Sequence, residues 1–242
     1  MEEQLAGGNM APVFRVGATV RRETGEWTPA VHRLLAALTS IDEVPAVIGL
    51  DDFDREVLTF LPGDMLAGAD ATVLWSERIL VSSARLLRRM HDASVELAGD
   101  PSLVWRSPAH RPREVICHND FAPYNLIVRG GVLSGVIDFD FASPGSRVWD
   151  LAYLAYRLVP FAEDAPHAES LDRSQRLAAL INAYGMSFAP DDVVSVIVQR
   201  LDELESFTLA RASDTGHADF LAHAAMYRRD AERLKLWNAR NS

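Results

Sequence analysis

Long apolar runs and cysteines are scarce in this chain. No segment approaches the roughly 20 consecutive apolar residues of a membrane-spanning helix, and the opening MEEQLAGG has neither the basic start nor the apolar stretch of a secretory signal peptide. The single Cys117 cannot form an internal disulfide, which fits a reducing compartment. Its apolar neighbours predict that the thiol is buried. We therefore expect a cytoplasmic protein with no membrane partner.

Basic residues are also in the minority. The sequence has 24 Lys and Arg against 34 Asp and Glu, a formal net charge of -10. Nucleic-acid-binding proteins need clustered cations to displace phosphate counterions, so this balance argues against a nucleic-acid partner. The same charge is compatible with a cationic ligand, or simply with solubility. With 242 residues and 48% hydrophobic content, the chain can bury one large core or two small ones.

The first sixty residues have the composition of a small sheet. Segments rich in β-branched residues predict strands at 13–23, 46–52 and 56–61. A helix is predicted over 28–38, with Thr28 as its N-cap and Pro29 at its first position. The LPGD stretch that follows predicts a turn between lobes. We expect a β-rich domain over residues 1–62.

The remaining residues, 63–242, are predicted to form a larger and mostly helical domain. Apolar residues recur at helical intervals over 76–94, 149–159, 170–184, 191–212 and 217–238. Between the first two of these helices, residues 113–146 predict two short strand pairs, with Gly130 and Gly131 in a turn that suits positive φ.

A histidine, a carboxylate and a carboxamide occur close together in the stretch CHNDFAPYNL. His118, Asp120 and Asn125 lie within eight positions, and Pro123 between them indicates an ordered loop rather than a helix. An Asp and an Asn at this spacing are common by chance. A second carboxylate makes the pattern more specific, because Asp138 follows the apolar strand GVI where a hairpin would return the chain beside Asn125. The sequence therefore predicts three converging oxygen ligands.

Oxygen ligands of this kind suit Mg²⁺, which takes one or two protein carboxylates together with substrate phosphates and water. A carboxylate that remains free of the metal can accept the proton of a hydroxyl that attacks phosphorus. Asp120 fits that role.

The motifs HNDFAPYN and VIDFD resemble the catalytic loop and metal segment of the aminoglycoside phosphotransferase and choline kinase family. Further segments are similar to the family in the same order along about the first 160 residues: LAGGNMAPVFRV, FLPGD, LLRRMHD and SRVWDLAYLAY. The resemblance implies an α+β, two-lobed protein-kinase-like fold, with a small β-rich N-terminal lobe and a larger helical C-terminal lobe.

The resemblance also implies roles for single residues. Asp120 corresponds to the catalytic base, and Asn125 and Asp138 to the Mg²⁺ ligands. His118 corresponds to a residue that organises the loop rather than one that shuttles protons, and Asp150 to an aspartate that braces the loop from the next helix.

Two departures from the family concern the nucleotide phosphates. The family has a phosphate-binding lysine where this chain offers Arg21 or Arg22, and strand alternation lets only one of them point inward. We favour Arg21, and leave Arg22 open. His32 stands about where the family has the glutamate that orients the lysine, so the arginine is expected to lack a carboxylate partner. Gly7 and Gly8 are the candidate phosphate loop, although two glycines more often form a turn.

The predicted function is transfer of the γ-phosphoryl group of ATP or GTP to a hydroxyl of a small molecule. Some family members hold cationic acceptors such as aminoglycosides or amino alcohols with acidic or aromatic residues. Candidates here are Asp202, Glu203 and Glu205, which equally fit a solvated helix face, and the aromatic residues Trp149, Tyr153, Tyr156 and Trp237, which equally fit a core.

An alternative function is a nucleotide-binding, pseudokinase-like module with little or no activity, which would explain the missing lysine and glutamate. Hydrolase chemistry is not indicated, because the sequence has neither a G-x-S-x-G nor an H-E-x-x-H motif.

Overall fold

The computed structural model describes residues 2–5 and 12–241. The chain divides into two compact units, each built from two segments. The first unit comprises Met1–Asp70 and Arg88–Arg147, and the second comprises Ala71–Leu87 and Val148–Ser242. The lobe boundary expected after residue 62 stays a prediction.

Ten strands and seven α-helices are present in the described residues. The strands are β1 Glu2–Leu5, β2 Val13–Val16, β3 Thr19–Arg22, β4 Val47–Leu50, β5 Glu56–Thr59, β6 Asp64–Met65, β7 Val115–Cys117, β8 Leu126–Arg129, β9 Val132–Val136 and β10 Ser143–Gly145. The α-helices are α1 Thr28–Ala37, α2 Ala71–Leu74, α3 Glu77–Ser94, α4 Arg147–Leu158, α5 Arg173–Tyr184, α6 Pro190–Thr215 and α7 Ala218–Asn241. Short 3-10 turns occur at Leu66–Gly68 and Val95–Leu97.

An antiparallel sheet in the order β1-β2-β3-β5-β4 begins the first unit. The single strand expected over 13–23 is instead a hairpin, because Gly17 has a φ of +61° and reverses the chain between β2 and β3.

Helix α1 begins as predicted, but Trp27 is its N-cap, and Thr28 lies in the first turn where its hydroxyl accepts a hydrogen bond from the Gly25 N–H at 2.8 Å.

Two smaller sheets complete the first unit and carry the loop that holds the sequence motif. Strands β6, β8 and β9 form one sheet, and β7 pairs with β10 in the other. The predicted turn between β8 and β9 is confirmed, since Gly130 and Gly131 have φ values of +59° and +73°. Cys117, at the end of β7, is buried as expected.

Helices α4 to α7 belong to the second unit, and α6 and α7 pack against each other. The predicted helices at 149–159, 170–184, 191–212 and 217–238 correspond to these four elements. Residues 2–5 and 12–241 include no helix with both the length and the apolar character needed to cross a membrane.

A buried carboxylate joins α4 to α7. Asp230 is fully buried, and its Oδ2 accepts hydrogen bonds from the Tyr156 hydroxyl at 2.6 Å and from the Glu163 N–H at 3.1 Å. Arg233 pairs with its other oxygen. Burial and the adjacent Asp230 raise the pKa of Tyr156 well above its ordinary value, so the hydroxyl stays a donor.

We expect Tyr156→Phe to lower the free energy of unfolding by about 1.5 to 3 kcal/mol, because a buried carboxylate loses one of its donors. Urea unfolding followed by circular dichroism measures this change. Ser206→Ala is the control, since that exposed hydroxyl donates to the Asp202 carbonyl at 2.9 Å within one helix, and should cost less than about 0.5 kcal/mol. Equal effects of the two substitutions would contradict the assignment.

Candidate active site

The loop between β7 and β8 brings Asp120 and Asn125 together. The Asn125 side-chain amide donates to the Asp120 carboxylate and to the Asp120 carbonyl, both at 2.9 Å. The Asn125 N–H also bonds to the Ala122 carbonyl at 2.8 Å, which closes a turn within the loop. With both amide hydrogens directed to Asp120, the Asn125 Oδ1 is the atom with lone pairs for a cation.

His118 holds this loop against the segment that follows β9. Its Nε2 lies 3.1 Å from the Ile137 carbonyl, and its Nδ1 lies 3.3 Å from the Asp120 N–H. A carbonyl only accepts hydrogen bonds, so Nε2 carries the hydrogen and Nδ1 is the acceptor. His118 is only 1% exposed, and its ring packs against Phe121 and Phe139. This geometry fits the loop-organising role expected for it, which stays a prediction.

Further hydrogen bonds, from the backbone and from the Asn119 side chain, connect the loop between β7 and β8 to the residues that follow β9. The Ile137 N–H donates to the Asn125 carbonyl at 2.9 Å. Asn119 has a φ of +64°, a conformation that asparagine tolerates better than most residues. Its amide donates to the Phe141 carbonyl and to the Ser143 hydroxyl, both at 2.8 Å.

Asp120 is held from both carboxylate oxygens. The Tyr124 hydroxyl donates to Oδ1, and Asn125 donates to Oδ2. Burial raises the pKa of Asp120 above its ordinary value, and the nearby Asp138 carboxylate acts in the same direction, whereas the Tyr124 and Asn125 hydrogen bonds oppose the shift. A carboxylate with a raised pKa is a stronger base than a solvated one.

Asp138 is the second residue after β9. It has a φ of +65°, a strained conformation for a residue that is not glycine. Its side chain is 41% exposed, and its Oδ1 lies 3.3 Å from Nη1 of Arg22.

The Arg22 guanidinium, at the end of β3, contacts three carboxylates. Its Nε pairs with Glu56, its Nη1 with Asp138 and its Nη2 with Asp140. Burial alone would lower the pKa of Arg22, but these three carboxylates together raise it above its ordinary value. The arginine therefore stays charged although its side chain is only 14% exposed.

Arg21 points elsewhere. It bonds to the Thr19 hydroxyl, and its Nε lies 3.6 Å from Asp51. The strand alternation was predicted, but the side chain that reaches Asp138 is Arg22 and not the favoured Arg21. The expectation that this arginine lacks a carboxylate partner is also wrong, because Glu56 on the neighbouring strand supplies one. The other candidates for phosphate binding, Gly7 and Gly8, lie outside the described residues.

Asp140 has partners on both of its oxygens. Arg22 pairs with Oδ1, the Nη1 of Arg106 lies 3.4 Å from Oδ2, and Trp27 hydrogen-bonds the same carboxylate. The Arg106 guanidinium lies 4.4 Å from the ring centroid of Trp27 and 4.9 Å from that of Phe141. Burial raises the pKa of Asp140, and the positive charge of Arg22 opposes the shift.

The charges of this cluster fit a divalent cation. Its formally charged members are the carboxylates of Glu56, Asp120, Asp138 and Asp140 and the guanidinium groups of Arg22 and Arg106. The carboxylates exceed the cations by two. Together with the Asn125 Oδ1 and the half-exposed Asp138, this excess suits Mg²⁺, which prefers hard oxygen ligands.

The acceptor candidates of the second unit have other partners. Glu205 pairs with Arg228, and Asp202 lies 3.8 Å from the Lys235 ammonium, so both connect α6 to α7. The rings of Trp149 and Tyr153 face the Arg200 guanidinium at 4.8 and 4.7 Å. Trp237 packs on Phe161. Asp150 is fully buried, and its bracing role stays a prediction.

Glu56, Tyr124, Arg106 and Trp27 are the members of the cluster that the sequence did not reveal. Tyr124 lies inside the motif, four residues after Asp120. Its hydroxyl could have been recognised in the sequence as a hydrogen-bond donor for the Asp120 carboxylate.

The site geometry predicts that Asp120 titrates above the ordinary range of aspartate in the metal-free protein, because burial disfavours its charged form. Removing a donor to the carboxylate in Tyr124→Phe should raise the pKa further. Carbon-13 NMR of labelled aspartate measures both values, and the Asp120 signal is the one that disappears in Asp120→Asn.

Asp100 is an internal control in the same spectra. Hydrogen bonds from Ser102 lower its pKa, and Tyr124→Phe should leave that value unchanged. A wild-type Asp120 that titrates at or below the ordinary range would contradict the geometry.

Comparison with known proteins identifies relatives of this chain. The sequence model of the phosphotransferase enzyme family matches residues 13–185. The trifolitoxin immunity protein of Rhizobium leguminosarum bv. trifolii is 30% identical over 197 residues, which covers 76% of this chain and 74% of that protein. The homoserine kinase of Zymomonas mobilis subsp. mobilis is 37% identical over 113 residues, which is 44% of this chain but only 32% of that enzyme.

A solved structure shows the same fold. The amicoumacin kinase hAmiN, in complex with AMP-PNP, Ca²⁺ and Ami, superposes with a TM-score of 0.69 over 96% of this chain and 88% of that one. At 13% identity this similarity shows the fold alone. Together these matches confirm the predicted α+β, protein-kinase-like fold and the family resemblance.

Proposed function

Since the chain belongs to the phosphotransferase enzyme family, we propose that it transfers the γ-phosphoryl group of ATP or GTP to a hydroxyl of a small molecule. One observation carries this proposal: Asp120, Asn125, Asp138 and Arg22 lie close together in the first unit, where they would supply a base, two oxygen ligands and a cation. The family match supports phosphotransfer, and the cluster supports a role for these residues in it.

In the proposed reaction, Asp120 accepts the proton of the acceptor hydroxyl. The acceptor oxygen forms a bond to the γ-phosphorus, the bond from that phosphorus to the bridging oxygen breaks, and the nucleoside diphosphate leaves. Asn125 and Asp138 would hold Mg²⁺, which when bound neutralises charge on the phosphate oxygens. Arg22 supplies the positive charge that the family draws from a lysine.

The names of the relatives narrow the class of acceptor. Homoserine, after which one relative is named, carries both a hydroxyl and an amine. The trifolitoxin immunity protein is named for immunity to a toxin. We propose an acceptor that combines a hydroxyl with a cationic amine, either a metabolite or a toxin. The net charge of -10 favours such a cation over an anionic acceptor.

The alternative of an inactive nucleotide-binding module is less well supported. It rested on the missing lysine and on the missing glutamate that would orient it, and Glu56 supplies Arg22 with a carboxylate partner. A panel of amino alcohols, aminoglycosides and peptide antibiotics, incubated with the protein and MgATP, tests the proposal by phosphorus-31 NMR. We expect a phosphomonoester signal with at least one cationic alcohol. Protein that binds MgATP, but neither forms a phosphomonoester nor hydrolyses ATP, would favour the binding module.

We predict that Asp120→Asn lowers phosphoryl transfer roughly 100- to 10,000-fold, the usual contribution of a general base. The affinity for MgATP should change less than about twofold, because the base acts on the acceptor and not on the nucleotide. Coupled ADP release measures the first quantity and calorimetry the second. Asp100→Asn, on the surface of the same unit, is the matched control and should retain turnover. Full activity of Asp120→Asn would remove Asp120 from the mechanism.

Arg22 and Arg21 provide a paired test of phosphate binding. Arg22→Ala should raise the MgATP dissociation constant about tenfold or more, the effect of losing a charge-assisted hydrogen bond. Arg21→Ala should change it little, because that side chain faces Asp51 and Thr19. Calorimetric titration of both variants gives the comparison, and a larger effect from Arg21 would reverse the assignment.

A further inference from the structure

Glu56 and Arg22 form a buried pair across two strands. The two residues lie directly opposite each other in the β3–β5 ladder. Glu56 is 2% exposed, and its Oε1 accepts from the Arg22 Nε. A buried carboxylate requires a compensating cation, so this contact is a strong constraint on the arginine.

His32 holds the second oxygen of Glu56. Its Nε2 lies 2.9 Å from Oε2, and because a carboxylate only accepts, the imidazole is the donor. His32 is on α1, whereas Glu56 is on β5, so the carboxylate is fixed from a helix and from a strand at once. It cannot rotate without losing one partner.

The fixed carboxylate determines where Arg22 points. Glu56 occupies the Nε edge of the guanidinium, and the two terminal nitrogens are left to face Asp138 and Asp140. A planar guanidinium held at one edge has a defined direction at the other. The edge opposite Glu56 is thereby directed at the segment that carries the proposed metal ligand.

We propose that Glu56, supported by His32, is the positioning residue that aims Arg22 at the nucleotide phosphates. This inference rests on the proposed function. Glu56 replaces, from a strand, the helix glutamate whose absence the sequence indicates. It acts only through Arg22, since its two oxygens are directed to Arg22 and His32.

The test compares MgATP with adenosine in calorimetric titrations of Glu56→Gln. This substitution preserves size and removes the charge. We expect the dissociation constant for MgATP to rise about tenfold and that for adenosine to stay within about twofold, because only phosphates interact with the arginine. A role in stability alone would weaken both ligands equally or neither.

Two further variants complete the design. In an Arg22→Ala background, Glu56→Gln should weaken MgATP no further, because residues that act through one another are not additive. Glu43→Gln is the matched control, since it removes a carboxylate that pairs with Arg89 at 2.6 Å on the surface of the same unit, and it should affect neither ligand.

His32→Ala keeps the inference testable if Glu56→Gln does not fold, because His32 is 22% exposed. We expect MgATP affinity to fall about threefold with adenosine unaffected, the size of one modest hydrogen bond. Wild-type protein that binds MgATP, with no selective loss in the Glu56 and His32 variants, would overturn the positioning role alone. Wild-type protein that binds neither MgATP nor MgGTP would overturn the proposed function as well.

Discussion

The contact of the Arg22 guanidinium with three carboxylates determines how the candidate site is arranged. It joins Glu56 of the five-stranded sheet to Asp138 and Asp140, which follow β9 and lie more than a hundred residues after Arg22 in the chain. Loss of the Arg22 charge would remove the arginine partner of the buried Glu56 carboxylate, which is costly in a protein interior. The sheet and the segment after β9 are therefore constrained to remain together.

A phosphotransferase has to bind the nucleotide phosphates with their metal ion, and it has to deprotonate the acceptor. Different segments around the Arg22 contact carry the residues proposed for these two tasks. Arg22 and Asp138 face the proposed phosphate and metal side, whereas Asp120 is held by Tyr124 and Asn125 of its own loop. The two sides are connected by backbone as well as by side chains, since the Ile137 N–H bonds to the Asn125 carbonyl. We therefore expect a substitution in one of these two segments to shift the other, because the hydrogen bond between Ile137 and Asn125 connects them.

Local patterns predicted the four C-terminal helices and the β8–β9 turn, because helical periodicity and a Gly-Gly pair are encoded within a few residues. The fold class was predicted from the family resemblance of the motifs and not from these patterns. The loop around Asp120 was predicted from its motif. The partner of Arg22 was not, because Glu56 is opposite it only through the register of two strands separated by α1 and β4. The sequence could not show whether Arg21 or Arg22 lies near Asp138 for the same reason: alternation shows that the two differ in direction, but not which one faces inward.

A crystal structure with Mg²⁺ and a non-hydrolysable ATP analogue tests the central claim most directly. We predict a metal ion bound by the Asn125 Oδ1 and the Asp138 carboxylate, phosphates in contact with the Arg22 guanidinium, and Glu56 still paired with the Nε of that arginine. Phosphates bound away from Arg22, or a metal ion coordinated by neither Asn125 nor Asp138, would contradict the account.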